Sequence, residues 1–167
     1  RALDIEADET GNIYLSVKGT KSKLLNIYAI SKNGKIRKIG KNMIGVLGKD
    51  PSGNIYFAQS FEYIKNGYQD GESFVGLITK KFKKKFDLPH GYSPLSICVS
   101  DSRLYLFSYS RCQIDEFTMD GSYVKTIYHE NPSVENAEVK HMTMYNNKFY
   151  MSDSKNNIIY MFEDSGN

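Results

Sequence analysis

The chain has 167 residues, 40% hydrophobic and 25% charged, which is the balance of an ordinary globular domain. No run approaches the about 18 consecutive apolar residues that a membrane-spanning helix needs. The 13 Gly, 4 Pro and 13% aromatics exclude collagen-like, low-complexity and disordered chains. The net charge of +3 conceals a division: residues 1–94 carry 16 basic and 9 acidic side chains, and residues 95–167 carry 6 and 10. A nucleic-acid binder presents one broad basic face instead, so nucleic acid is not the expected partner.

In chain order, the first element is a short apolar segment holding Leu3 and Ile5, ahead of a turn from Asp8 to Gly11 and then Ile13-Tyr14-Leu15. Leu25 to Ile30 follows as a third strand, Asn33-Gly34 as a turn, and Lys35 to Ile39 as a fourth strand. The same grammar returns in Met43 to Leu47, the turn Asp50 to Gly53, Ile55-Tyr56-Phe57, Phe74 to Ile78, and Lys84 to Leu88. It returns again in Leu95 to Val99, Asp101-Ser102, Leu104-Tyr105-Leu106, Ile114 to Phe117, Asp120-Gly121, and Ser122 to Ile127. The last unit reads Met142 and Met144, Asn146-Asn147, Phe149-Tyr150-Met151, Ile158 to Phe162, and Ser165-Gly166. No segment sustains helical spacing.

The equivalent tyrosines Tyr14, Tyr56, Tyr105 and Tyr150 lie 42, 49 and 45 residues apart. Four antiparallel strands repeated at about 45 residues are the signature of β-propeller blades. Continuous apolar runs such as Ile55 to Ala58 suit sheets covered on both faces, where a half-exposed sheet would alternate. The expected fold is therefore all-β, a single propeller segment with blades at about 1–40, 41–89, 90–130 and 131–167. On this period the chain makes about 3.7 blades, the last lacking its outer strand. We expect further blades, from additional sequence or from another chain, to complete the ring.

Ser93-Pro94-Leu95-Ser96-Ile97-Cys98-Val99 through Phe117-Thr118-Met119-Asp120-Gly121 resembles an NHL repeat. Tyr150-Met151-Ser152-Asp153-Ser154-Lys155-Asn156-Asn157-Ile158 resembles that family's Y-V-A-D-S-x-N-N-R-I stretch. The resemblance implies a six-bladed ring around a central channel, with binding on one rim. It also implies a lean toward an exported bacterial protein. Its members include protein-binding modules and lyases, so the fold does not set the function.

In a propeller, second-to-third-strand loops share a face with the connections between blades. Here these are 16–24, 58–73, 108–113 and 152–157, with 40–43, 88–94 and 128–140. They hold the candidate ligand-binding residues Tyr63, Tyr68, His90, Tyr92, Tyr109, Arg111, His129 and Lys155. Phe61 to Gly71 is an insertion relative to the other units, and an insertion confined to one face marks a binding face. Exposed aromatics beside Arg or Lys suit protein contacts or a small extracellular ligand.

The three histidines His90, His129 and His141 fall on different connections. Neither a catalytic constellation nor a cofactor or metal is assigned. Asp4, Glu6 and Asp8 alternate, which places three carboxylates on one face of the first inner strand. Lys80, Lys81, Lys83, Lys84 and Lys85 read as a solvated turn with Phe82 and Phe86 pointing inward. Cys98 and Cys112 read as small buried residues on strands that are not neighbours, so no bridge is expected.

The expected function is non-catalytic binding or scaffolding through one rim. The alternative is part of a propeller lyase or hydrolase whose active site other blades complete, with a histidine converging on carboxylates.

Overall fold

The computed structural model describes residues 2–18, 25–43, 45–60, 63–64, 68–69, 72–79, 81–108, 113–129 and 139–163. Four antiparallel sheets follow one another along the chain. The first contains β1 (Ala2–Ala7), β2 (Ile13–Lys18), β3 (Leu25–Ile30) and β4 (Ile36–Met43), in that order. The second contains β5 (Gly45–Lys49), β6 (Ile55–Gln59), β9 (Phe74–Ile78) and β10 (Phe82–Asp87). Between β6 and β9 a two-stranded hairpin of β7 (Tyr63–Ile64) and β8 (Tyr68–Gln69) forms its own small sheet.

The third sheet runs β11 (Pro94–Val99), β12 (Arg103–Ser108), β13 (Gln113–Thr118) and β14 (Tyr123–His129). In the fourth, the described residues form β15 (Val139–Tyr145), β16 (Lys148–Asp153) and β17 (Ile158–Glu163). Each sheet is a blade, and the inner strands are β1, β5, β11 and β15.

The turns explain themselves chemically. Asp8 accepts from the Asn12 backbone N–H and side-chain amide, from both N–H and hydroxyl of Thr10, and from the Tyr14 hydroxyl. Asp50 repeats this with the Asn54 backbone N–H and amide at 2.8 Å each and the Tyr56 hydroxyl at 3.3 Å. Gly11 and Gly53 close these two turns at φ 83° and 81°, which glycine adopts without strain. In the first two blades the repeated tyrosine is thus tied to the aspartate of its own turn.

Side chains flanking that tyrosine alternate between the two faces of each blade, and the faces pack in three apolar seams. Between the first two blades lie Tyr14, Ile27 and Ala29 against Leu47, Ile55, Phe57 and Ile78. Between the second and third lie Tyr56, Ala58 and Val75 against Ile97, Leu104, Leu106 and Phe117. Between the third and fourth lie Cys98, Phe107 and Ile114 against Met142, Phe149 and Met151. Each fully buried Ile, Leu or Phe contributes about 1.5–3 kcal/mol of apolar transfer energy, which makes these seams the main source of stability. Among the described residues, no apolar cluster joins the fourth blade to the first.

Several strand limits differ from the sequence expectation. Residues 40–43 belong to strand β4 instead of a connecting loop, and Met43 leaves the inner strand, which is Gly45–Lys49. The lysine-rich run is mostly strand: Phe82–Asp87 pairs with β9 as the outer strand of its sheet, the Thr79 N–H donates to the Lys81 carbonyl ahead of it, and Lys80 lies outside the described residues. Phe82 and Phe86 do point inward, toward opposite seams. A register shift between Lys84 and Phe86 reverses the alternation, which is how two residues four apart reach different faces. Gly76 makes room for Phe82, because a Cβ there would sit 2.2 Å from the ring.

Candidate functional site

One rim of the second blade carries the inserted hairpin. Tyr63 pairs with Gln69 and Ile64 with Tyr68, so the insertion is built around its own backbone ladder. Its base is fixed by hydroxyls on either side. Ser60 donates to the Pro94 carbonyl at 2.8 Å, and Ser73 donates to the Tyr92 carbonyl at 2.5 Å. The Leu88 N–H donates to the Ser73 carbonyl at 2.8 Å. These bonds fix the two flanks of the insertion beside the 88–94 connection, where His90 is exposed in a turn.

Of the expected site residues, Tyr63 and Tyr68 lie in the hairpin between β6 and β9, and His90 lies in the connection from β10 to β11. Lys155 is exposed in the turn after β16 on the fourth blade, its N–H donating to Asp153 at 2.9 Å. His129 ends β14, where its backbone pairs with Gln113. Tyr109 and Arg111 lie outside the described residues, as does Cys112.

Tyr92 is placed differently from the expectation. It is 0% exposed, in the seam between the second and third blades. Its hydroxyl donates to Asp115 at 2.8 Å, and lies 3.2 Å from the Leu106 carbonyl. Its ring meets Phe117 edge-on with centroids 6.1 Å apart. The residue is a core anchor beneath the rim. Asp115, itself buried, also accepts from Gln113 at 2.7 Å and Thr126 at 2.6 Å.

A second concavity lies where the inner strands converge. It is about 110 Å³ and is lined by Glu6, Lys49, residues 97–99 and residues 141–144, His141 among them. That volume holds a few waters but lies below the about 300 Å³ of ordinary small-molecule pockets. Asp4 accepts from the Leu47 N–H at 2.7 Å and so ties β1 to β5. Burial pushes the Asp4 carboxyl up, with the Leu47 N–H pulling it back. Burial also pushes Glu6 up, reinforced by the charge of Asp4 and opposed by Lys49 and His141.

Asp8 does not join this pair, because its turn consumes it, and those hydrogen bonds hold its carboxyl well below the usual range. Cys98 is buried beside the Met142 carbonyl, and burial pushes its thiol up to about 12. Among the described residues, no group of three His, Cys, Asp or Glu is arranged to hold a metal ion. Glu6, Lys49 and His141 were not singled out together by sequence, since 43 and 92 residues separate them along the chain.

The raised carboxyls give a pH prediction. A raised folded-state value means the folded chain holds its proton more tightly, so the stability this contributes is present below the unfolded value. For Glu6 it is lost as pH rises from about 4.5 through the raised value. Glu6→Gln should therefore gain stability relative to wild type between pH 4 and 7, read from urea midpoints. A constant difference across that range would contradict the assignment.

The lysine run behaves as a charged sheet edge. Lys84 pairs with Glu72 at 2.9 Å and Asp87 at 2.5 Å, and Lys85 lies 5.5 Å over the Tyr56 ring. Lysines on an outer strand discourage edge-to-edge pairing with another sheet.

No family model and no curated protein matches the chain. Solved structures do. A Bacteroides thetaiotaomicron protein of unknown function aligns over 97% of this chain and 41% of its own, with TM-score 0.73 and 13% identity. A luciferin-regenerating enzyme aligns over 99% and 62%, with TM-score 0.68 and 13% identity. The β-propeller domain of Cps50 (Swd1) from Myceliophteria thermophila aligns over 97% and 53%, with TM-score 0.64 and 10% identity. The chain spans less than two thirds of the length of each. At such identities the likeness establishes the β-propeller fold and nothing finer.

Proposed function

We propose that the chain is a non-catalytic binding or scaffold module of an NHL-like, six-bladed type, taking a protein partner on the rim of the second blade. The observation carrying this reading is the β7–β8 hairpin, an extra element between β6 and β9 whose flanking Ser60 and Ser73 bond to the Pro94 and Tyr92 carbonyls of the next connection. Binding loops on a rigid scaffold are where propellers place recognition. Tyr63, Tyr68 and His90 would supply the contacts, with Tyr109, Arg111 and Lys155 on the remaining loops of that face and His129 at the end of β14. A tyrosine offers a large apolar surface with one polar tip, which is the chemistry of an interface anchor.

The test is selection of peptides from a display library on the immobilised protein. Replacing residues 62–71 by a short Gly-Asn turn should leave the melting transition in place while removing binding of the selected peptides. Tyr68→Ala should weaken them about tenfold, the scale of an interface anchor. Peptides that bind the shortened protein unchanged would refute the rim reading.

The axial cavity supports a second reading, in which the chain contributes to a lyase or hydrolase site. The convergence of Glu6 and His141 on one cavity is the observation favouring it. A carboxyl whose pKa is raised by burial, lining the same cavity as an imidazole, is suited to proton transfer.

A further inference from the structure

The β3–β4 turn of the first blade and the β13–β14 turn of the third are built alike. Lys35 and Ser122 donate their N–H to the Ser31 and Thr118 hydroxyls at 3.1 and 3.0 Å. Gly34 and Gly121 donate to the carbonyls of the same two residues at 2.8 and 3.0 Å. The ladders extend the match: Tyr14 pairs with Ala29 and Ala29 with Arg37, as Tyr105 pairs with Glu116 and Glu116 with Lys125. Two residues before the tyrosine stand Asn12 and Arg103.

The third blade holds a carboxylate of its own at this place. Glu116 is buried, accepts from Arg103 Nε at 2.8 Å and lies 4.0 Å from Lys125 Nζ. In the first blade Ala29 stands where Glu116 does, and a cavity of about 230 Å³ opens there, lined by Asn12, Tyr14, Ala29, Ser31, Lys35 and Arg37. Two cations remain, although one has changed place: Asn12 replaces Arg103, and Lys35 replaces Ser122. The second blade fills the same place with Leu77, paired to Tyr56, and with Lys85 lying 5.5 Å over the tyrosine ring. Asp8, bonded to Asn12 and Tyr14, is engaged by its own turn and does not line the cavity. Tyr14 and Ala29 belong to the seam with the second blade, so the cavity does not depend on what adjoins the other face of the first.

We propose that this cavity binds a small organic carboxylate. Lys35 and Arg37 hold its charge where the third blade holds Glu116, and its apolar body rests on the Tyr14 ring and the Ala29 methyl. The volume, below the about 300 Å³ of ordinary small-molecule pockets, suits a ligand between acetate and benzoate in size. The site lies at the β1–β2 and β3–β4 turns, the opposite end of the sheet from the β2–β3 connection, and so stands apart from the rim that carries the hairpin in the second blade.

Titration of the isotope-labelled chain with sodium benzoate at constant ionic strength, read by amide chemical shifts, tests this. Saturable shifts are expected at Asn12, Ser31, Lys35 and Arg37, in the millimolar range, and none with benzyl alcohol, the neutral analogue. Arg37→Gln should weaken binding about tenfold, the scale of one charge-assisted hydrogen bond. Ala29→Glu should supply the carboxylate from the chain itself, as Glu116 does, and abolish benzoate binding while the melting transition is kept. Shifts that grow without saturating, an equal response to benzyl alcohol, or unchanged affinity in Arg37→Gln would each overturn the proposal, as would a folded Ala29→Glu chain that still binds. Should Ala29→Glu lose its cooperative melt, Arg37→Gln and the alcohol control decide the matter.

Discussion

Tyr92→Ala is expected to destabilise the chain by about 3–5 kcal/mol, the range for removing a large buried aromatic side chain. The loss has three parts. The ring leaves a cavity against Leu88, Ile97 and Phe117 in the seam between the second and third blades. Asp115 loses its hydroxyl donor while remaining buried. The Leu106 carbonyl loses the same partner. Tyr92→Phe separates these, because it keeps the ring; about 1–3 kcal/mol is expected for a buried acceptor left short of a donor. Denaturant unfolding measures both. A ligand-contact residue would behave differently, with little change in stability and a loss only in binding.

Asp50→Ala is expected to cost about 2–4 kcal/mol, from charge-assisted bonds lost together with buried donors left unpaired. Asp50 is buried and receives the Asn54 N–H, the Asn54 amide and the Tyr56 hydroxyl. The Tyr56 ring is itself in a seam, so its orientation is coupled to the turn. Burial and the adjacent Asp50 push the Tyr56 hydroxyl up to about 12, so it remains a donor throughout the working pH range. Asp50→Asn should recover part of the loss by keeping the acceptor oxygen. Urea midpoints within experimental error of wild type for Asp50→Ala would contradict the role given to this turn.

The blades were legible because covering both faces of an inner strand forces a continuous apolar run, and because an acidic or amide-rich turn and the tyrosine recur together. Leu25–Ile30 and Phe74–Ile78 were legible to the residue. The start of the second blade was displaced by two residues because β4 passes into β5 across a single residue, with no turn signal between. The division between core and rim was less legible. Tyr92 sits on a connection beside exposed His90, and nothing nearby in sequence reveals its partner Asp115, 23 residues on. The axial group of Glu6, Lys49 and His141 depends on the arrangement of separate blades, which local pattern does not encode.

Rim and axis are separated most directly by amide hydrogen exchange on the 167-residue chain, with and without a display-selected peptide. The rim account predicts slowed exchange in residues 60–72 and 88–94, with Asp4–Ala7 and Val139–Tyr145 unchanged. Protection centred on those two inner-strand segments, with the hairpin unaffected, would contradict it and assign recognition to the axial cavity.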